Sequence, residues 1–315
     1  MDNRKKGILL VLIATTFWGL MGINSRVLSM AGLTAMDISF IRCSAASVLF
    51  LGYMLIKKPN ELKIDLMGII AGCIYGIVCF VLGFMTYNIS VARVPISVAT
   101  VLMFTNPIWV TIFGTLIFKD KMTFKKIFVV SMCILGCVCI SDVLSTGGAN
   151  LDVIGVVAGL VNGITFAMQI VIPRFFEGKY SKDSLLIYGF ISSTIVLSFF
   201  TDFSHFAVAF TGAGSIKVIL NAFAIAVLST FIANTFYVKS TEYIETQVTS
   251  ILVSLEPILG SVFAFFIFGE VMSEMQIAGA AIVILAACIL ETDLVRLKEK
   301  AEMLFSGMLG RNREQ

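Results

Sequence analysis

A carboxylate followed directly by a proline, Glu256-Pro257, stands in the middle of a long apolar stretch. Proline removes a helix hydrogen bond, and a carboxylate is costly in an apolar interior. The pair therefore predicts a polar site at an interrupted helix, where the acid can carry a proton or bind an amino group. The structural alternative is a neutral acid that hydrogen-bonds a neighbouring helix or the backbone that Pro257 frees.

The same pattern occurs earlier in the chain as Asn106-Pro107, with an amide in place of the acid. A shift of 150 residues aligns 94–140 with 244–290 without a gap, and it pairs the two prolines. A shared proline inside one ungapped register indicates an internal duplication. For Asn106, a role as the cap of a kinked helix is an equal alternative to a role in binding.

The composition indicates an integral membrane protein that is all-α. Of the 315 residues, 58% are hydrophobic and 14% are charged, whereas roughly a quarter are charged in soluble domains. Spans of about 20 residues with short connections give roughly ten transmembrane helices. We predict these spans near residues 7–29, 37–56, 64–88, 94–117, 124–141, 152–172, 184–201, 216–238, 246–268 and 275–292.

Lysine and arginine are concentrated in alternate connections, and cytoplasmic loops carry such an excess. The pattern predicts a multi-pass protein of the cell membrane with both termini in the cytoplasm. Five spans in each copy form an inverted-topology repeat. The expected divisions are a first repeat over 1–145, a second repeat over 146–292 and a basic cytoplasmic tail over 293–315.

Helix rise places several polar and aromatic residues about halfway across a hydrocarbon core about 30 Å thick. The candidate substrate-binding residues are Trp18, Tyr75, Phe104, Asn106, Asn162, Gln169, Asn234, Ser254 and Glu256. The aromatic members would contact an apolar part of a ligand, and the carboxylate and amides would contact its polar end.

Two tyrosines and two arginines complete the candidate set. Tyr87 and Tyr237 occupy equivalent positions in the two copies and are candidate gates, or members of the interfacial aromatic belts. Arg26 and Arg42 fall near the outer ends of the first two spans, where they would snorkel to the surface. Pairing with Asp37 or contact with an anionic substrate group is the alternative.

These features resemble a known family. Phe17-Trp18-Gly19 and Arg26 in the first span, Tyr87-Asn88-Ile89-Ser90, and the run from Leu255-Glu256-Pro257 to Phe268-Gly269-Glu270 are similar to the duplicated EamA module of the drug/metabolite transporter superfamily. The resemblance extends to about residue 292 and implies ten helices, a central cavity and secondary transport of small metabolites. Lys119-Asp120 departs from the pattern, because Gly-Glu is commoner there.

The leading hypothesis is a secondary active transporter for amino acids or related amphipathic metabolites, acting in efflux by alternating access. Protons or substrate gradients would drive it, and its partners would be the small-molecule substrate and the lipid bilayer. The alternatives are a sugar-phosphate or nucleotide-sugar transporter and a non-transporting scaffold. The first would need a basic cavity, and Arg26 and Arg42 are too few and too near the surface to favour it.

Several other classes are disfavoured. No Gly-x-x-x-x-Gly-Lys-Ser/Thr sequence is present, and neither His-Glu-x-x-His nor Gly-x-Ser-x-Gly occurs, so no ATP-driven pump or enzyme is expected. No metal site or cofactor is predicted. The basic residues flank spans instead of forming a stripe, which argues against a nucleic-acid partner.

Overall fold

The computed structural model describes residues 3–94, 96–140, 152–211, 214–269 and 272–291, and the regular elements in these ranges are helical. The predicted basic tail over 293–315 and the predicted boundary between the repeats at 145–146 lie outside the described residues. The helices are α1 Asn3–Met30, α2 Ala35–Lys57, α3 Leu66–Gly76, α4 Gly83–Arg93, α5 Ile96–Met103, α6 Asn106–Phe118, α7 Phe124–Ile140, α8 Val153–Phe175, α9 Lys182–Ser198, α10 Phe203–Thr211, α11 Ser215–Ala226, α12 Ala233–Ser240, α13 Thr246–Val253, α14 Glu256–Phe268 and α15 Glu274–Glu291.

The helices follow the apolar segments of the sequence closely. Seven helical stretches are long and apolar enough to cross a membrane, and an eighth crossing results if α9 and α10, bent by 97°, form one span. Glu274–Ile289 is apolar but shorter. The structure therefore supports an all-helical membrane protein with seven or eight clear crossings, a smaller number than the ten spans predicted.

The duplication is visible in the helix boundaries. Helices α5 and α6 recur as α13 and α14 at a spacing of 150 residues, with the same break between them. A π-helical segment joins α3 to α4 at Ile77–Leu82, and a second joins α11 to α12 at Val227–Ile232, at the same spacing. Because π-helical turns are rare and often functional, their recurrence supports a duplicated architecture independently of the sequence matches.

The two repeats are interlocked. Helix α1 packs on α12 and α14 of the second half of the chain, whereas α8, its counterpart, packs on α4, α5 and α6 of the first half. Helix α7 packs along α15, and α3 packs along α9. Glycines permit the closest approaches: a Cβ at Gly279 would lie 2.6 Å from the carbonyl oxygen of Gly136. Each repeat therefore supplies its first helix to the packing of the other.

The ends of α6 and α14 are equivalent but chemically different. The residue after each helix is left-handed: Lys119 at φ 56° and Gly269 at φ 70°. A left-handed residue with a side chain is disfavoured by about 1–2 kcal/mol, and glycine avoids this penalty. Lys119 is the position at which the sequence departs from the family pattern, and there the backbone keeps the conformation that a glycine would favour.

We expect Lys119→Gly to raise the free energy of unfolding by up to about 1 kcal/mol, because it removes the left-handed penalty. The measurement is reversible unfolding of purified protein in detergent. The reciprocal variant Gly269→Lys should lower the same quantity by a similar amount. A Lys119→Gly protein less stable than the parent would contradict the assignment of strain to this residue.

Candidate functional site

The interruptions at Asn106 and Glu256 arise from the same local sequence. In each, the residue before the polar side chain occupies the N-cap position without a side-chain capping bond, and a proline stands in the first turn, where a missing N–H costs nothing. The polar residue is thus placed at a helix amino terminus, whose partial positive charge favours a carboxylate. Proline placement therefore positions Glu256 in the first turn of α14 and Asn106 in the first turn of α6.

The two polar side chains lie in different surroundings. Asn106 is fully buried, and neither its Oδ1 nor its Nδ2 has a hydrogen-bond partner within the described residues. Glu256 is half-buried. Arg42, Tyr87 and Tyr237 lie close enough to its carboxylate to interact with it electrostatically. The acid is therefore enclosed by polar groups from both repeats.

Arg42 is placed differently from the expectation that it would snorkel to the outer surface. Its side chain is 9% exposed, its Nε donates to Thr230 Oγ1 at 3.0 Å, and its guanidinium lies 4.4 Å from the centre of the Phe84 ring. Hydropathy gives depth along a helix but not the direction that a side chain faces. At this depth the helix turns Arg42 inward, where Thr230 of the second π-helical segment accepts its hydrogen bond.

An aromatic cluster adjoins the carboxylate. The Trp18 ring lies 5.5 Å from Phe166 and 5.0 Å from Tyr237, and the last two are 6.0 Å apart. The indole Nε1 of Trp18 donates to the Ser229 carbonyl oxygen at 3.0 Å. This bond fixes the tryptophan against the second π-helical segment, so the ring presents an apolar wall of defined orientation.

The remaining candidate residues divide between α8 and other parts of the interior. Asn162 Nδ2 donates to Gly83 O at 2.7 Å, and Tyr75 donates to the Gln169 carbonyl oxygen at 3.2 Å, while Asn162 Oδ1 and Gln169 Oε1 lack partners among the described residues. Asn234 donates to the backbone of its own helix, to Thr230 O at 2.8 Å. Of the other three candidates, Phe104 and Ser254 are buried and Arg26 is exposed.

Within the ranges described above, no three His, Cys, Asp or Glu side chains form a group that could hold a metal ion. Around the two helix breaks the described residues offer the half-buried carboxylate of Glu256, the guanidinium of Arg42, several amides and an aromatic wall. Such groups bind and orient a small polar molecule.

Comparison with known proteins then decides the family. The sequence model described as the EamA-like transporter family matches two consecutive segments of the chain, residues 5–142 and 153–292. The chain belongs to the EamA-like transporter family. This membership makes it a membrane transporter and accounts for the duplicated helix pattern.

The relatives of this EamA-like transporter are distant. An uncharacterized transporter of Archaeoglobus fulgidus is 22% identical over 89% of this chain and 96% of its own. An S-adenosylmethionine uptake transporter of Rickettsia prowazekii is 22% identical over 80% of this chain and 81% of its own. A solved crystal structure, 12% identical, superposes with a TM-score of 0.77 over 93% of this chain and 99% of its own, so it shares the fold.

One surface of this EamA-like transporter is closed by polar contacts between the repeats. We call it the amino-terminal face, defined by Lys6, Lys58, Asp120, Arg174 and Lys239. Arg174 binds Asp120 through two hydrogen bonds, of 2.6 and 2.7 Å, and also donates to Thr246 at 3.1 Å. The other contacts between the repeats are Lys6–Tyr243 at 2.7 Å, Lys58–Asp183 at 2.7 Å, Lys126–Glu245 at 2.6 Å and Tyr180–Asp65 at 2.6 Å. Lys239 adds a contact at 3.4 Å to Asp183 of its own repeat.

The opposite face has weaker contacts between the repeats. Arg93 meets Asp152 at 3.3 Å, with both side chains exposed, and His205 Nδ1 lies 2.8 Å from Asp37 Oδ2. The sequence offered Asp37 as a possible partner of Arg42. The structure pairs Asp37 with His205 instead, since the 97° bend between α9 and α10 brings the histidine over the start of α2.

The Asp120–Arg174 contact has a defined pH range. Hydrogen bonds from Arg174 hold the pKa of Asp120 below its ordinary 3.8. Because the folded pKa is lowered, the contact stabilises the protein above the unfolded pKa and is lost as the pH falls through the folded one. We expect the stability difference between the parent and Asp120→Asn to stay constant from pH 5 to 8 and to shrink below about pH 4.

Thermal unfolding of both proteins across this range measures the difference, and groups common to both cancel. A difference that instead shrinks between pH 5 and 8 would show that another group controls this contact.

Proposed function

We propose that the protein is a secondary active transporter that moves small metabolites, amino acids or related amphipathic compounds, by alternating access. The observation that supports this most is the duplicated helix break. It brings one polar side chain from each repeat, Asn106 and Glu256, into the interior at the start of a half-helix. Broken helices of this kind form substrate sites in transporters with inverted repeats.

The proposed membrane topology has ten spans in two inverted repeats, over 1–145 and 146–292, with a cytoplasmic tail and both termini in the cytoplasm. The recurrence of the break and of the π-helical segments supports the duplication. Shorter apolar helices such as Glu274–Ile289 would supply the remaining spans of the ten. Such helices would be held in the membrane by their packing on neighbouring helices more than by contact with lipid. The proposed location is the cell membrane.

The proposed site has an acidic centre and an aromatic wall. Glu256 binds the cationic group of the substrate or a proton, and Trp18 with its neighbours contacts the apolar part. Asn106, Asn162 and Gln169 each hold at least one unpartnered amide atom that can hydrogen-bond a substrate or water. Tyr87 and Tyr237, at equivalent positions in the repeats, are the proposed gates, and the closed amino-terminal face is one end of the cycle.

A relative named for S-adenosylmethionine uptake supports an amphipathic substrate with an amino-acid end. Efflux is the proposed direction, although that relative is named for uptake, so flux is to be measured both ways. The buried Arg42 also supports a second candidate class, sugar phosphates or nucleotide sugars, because a guanidinium binds phosphate well.

The test is uptake and counterflow in proteoliposomes against a metabolite panel that contains amino acids, S-adenosylmethionine, sugar phosphates and nucleotide sugars, at two internal pH values. Glu256→Gln is expected to lower flux about 10- to 100-fold, as loss of a charged hydrogen bond predicts, and to remove the response to pH. Glu274→Gln, an exposed acid in the same repeat, is the control and should retain both.

A pH response that persists in Glu256→Gln would contradict proton coupling through this acid and leave the transporter class intact. Absence of flux and binding for every member of the panel would favour a non-transporting scaffold. Flux restricted to phosphorylated compounds would favour the second class of substrate.

A further inference from the structure

Two opposite charges share the interior without neutralising each other directly. Arg42 comes from α2 of the first repeat and Glu256 from α14 of the second. The two charges lie close enough to interact electrostatically. No nitrogen of Arg42, however, lies within 4.0 Å of a carboxylate oxygen of Glu256, the limit for an ion pair. A buried ion pair stabilises a protein only with close geometry. The separation therefore calls for groups that lie between the charges.

Arg42 has hydrogen-bond donors to spare. A guanidinium carries five N–H donors in a planar fork, and within the described residues only Nε has a partner, Thr230. The terminal nitrogens are not among the fully enclosed polar atoms that lack a partner, so part of their surface is accessible. The Phe84 ring and the hydrogen bond from Nε to Thr230 hold the guanidinium in place, and neither contact uses the N–H groups of the two terminal nitrogens.

Glu256 presents the complementary case. Its carboxylate accepts no hydrogen bond from the described part of the chain. Its two oxygens are not fully enclosed either, so part of their surface is accessible. The start of α14 favours its negative charge. Tyr87 and Tyr237 lie near it, and the Trp18 ring packs against Tyr237 at 5.0 Å. A cation bound there would have aromatic side chains beside it.

We infer that Arg42 and Glu256 act as one recognition pair that selects zwitterions, with Arg42 binding a carboxylate and Glu256 binding an ammonium group of the same molecule. This rests on the proposed transport function and assigns the substrate class of its site. The fork of Arg42 matches a carboxylate in a two-bond geometry that a lysine cannot supply. Because the charges come from different repeats, a bound zwitterion bridges the two halves.

The pair also discriminates against molecules with one kind of charge. A sugar phosphate would satisfy Arg42 but would bring its negative charge towards Glu256. A simple amine would satisfy Glu256 and leave the guanidinium without an anion. Only a molecule with both charges compensates both buried groups, and an unpaired buried charge is costly.

The test measures binding to the purified full chain in detergent by thermal stabilisation, because neutral forms of single-charge analogues cross lipid unaided. The probes are matched triples: leucine, isoamylamine and 4-methylpentanoate; phenylalanine, phenethylamine and 3-phenylpropanoate; serine, ethanolamine and 3-hydroxypropanoate. We expect at least one amino acid to bind the parent about 10- to 100-fold more tightly than either of its analogues.

Variants assign each charge. In Arg42→Gln the amino acid should bind no better than its amine, and in Glu256→Gln no better than its acid. Arg42→Lys keeps the positive charge and is the variant to use if Arg42→Gln does not fold; its carboxylate preference should be reduced. Arg93→Gln, which removes an exposed arginine from the opposite face, is the matched control and should retain the full preference.

The inference would be overturned if none of the three amino acids binds the parent more tightly than its amine. An undiminished preference for the amino acid in both Arg42→Gln and Arg42→Lys would also overturn it. Failure of all three amino acids to bind would also overturn it. In that case the proposed function survives if another compound of the metabolite panel is transported, so the two failures are distinguishable.

Discussion

Alanine in place of Gly76 is expected to destabilise the protein by about 3 kcal/mol, the upper end of the usual cost of overpacking. Gly76 ends α3 where that helix contacts α9, and a Cβ there would overlap the carbonyl oxygen of Gly189 and the hydroxyl of Ser192. The carbonyl belongs to the backbone of α9, so it can move only if the helix moves. Separating α3 from α9 would also open the contact between the two repeats.

The measurement is the free energy of unfolding in detergent, with Gly22→Ala as the matched control. Gly22 also lies within a helix, but a Cβ there meets no atom within 4 Å. Because alanine is the better helix former, Gly22→Ala should leave stability unchanged or raise it by up to about 1 kcal/mol. Equal losses in the two variants would show that a cause common to both sites, such as lipid contact, and not the close approach, sets the effect.

Asp120→Asn is expected to open the amino-terminal face. The substitution removes one charge of the doubly bonded contact with Arg174, and both side chains are partly exposed, which limits the loss to about 1–2 kcal/mol. Such a loss changes the ratio of closed to open molecules by roughly 5- to 30-fold. The readout is labelling of Ser254→Cys, in a protein without other cysteines, by a membrane-impermeant maleimide added from the side of the membrane at which the amino-terminal face lies.

Labelling should rise in Asp120→Asn, and a charge-exchanged protein, Asp120→Arg with Arg174→Asp, should bring it back towards the parent level. The control is Asp152→Asn, which breaks the exposed contact with Arg93 on the opposite face and should not increase labelling from this side. Unchanged labelling in Asp120→Asn would mean that the remaining contacts of this face hold it closed without Arg174.

The helix breaks could be predicted from sequence because proline has a local physical effect. Pro107 and Pro257 cannot donate a helix hydrogen bond, so the interruptions at Asn106 and Glu256 follow from the residues themselves. The membrane class, the helical content and the duplication were predictable for similar reasons. The number of crossings was not, since hydropathy alone does not distinguish a short span from an apolar helix that packs on its neighbours.

The π-helical segments had no sequence signal. Ile77–Leu82 contains neither glycine nor proline, and it packs on α9, which lies about 100 residues further along the chain. Arg42 was located at the right helix but with the wrong orientation, because its inward direction depends on Thr230, far along the chain. The Asp120–Arg174 contact likewise joins residues from different repeats, which no local pattern could connect.

The exchange of first helices between the repeats has a consequence for the order in which the protein is made. Helix α1 is synthesised well before the helices it packs on, α12 and α14 of the second repeat, have been made. Until then α1 must wait in the bilayer or beside a chaperone, with the Trp18 indole lacking its acceptor on Ser229. The packing of α1 is therefore completed only after α14 has been made, and two separately expressed halves should accumulate only when both are present in the same cell.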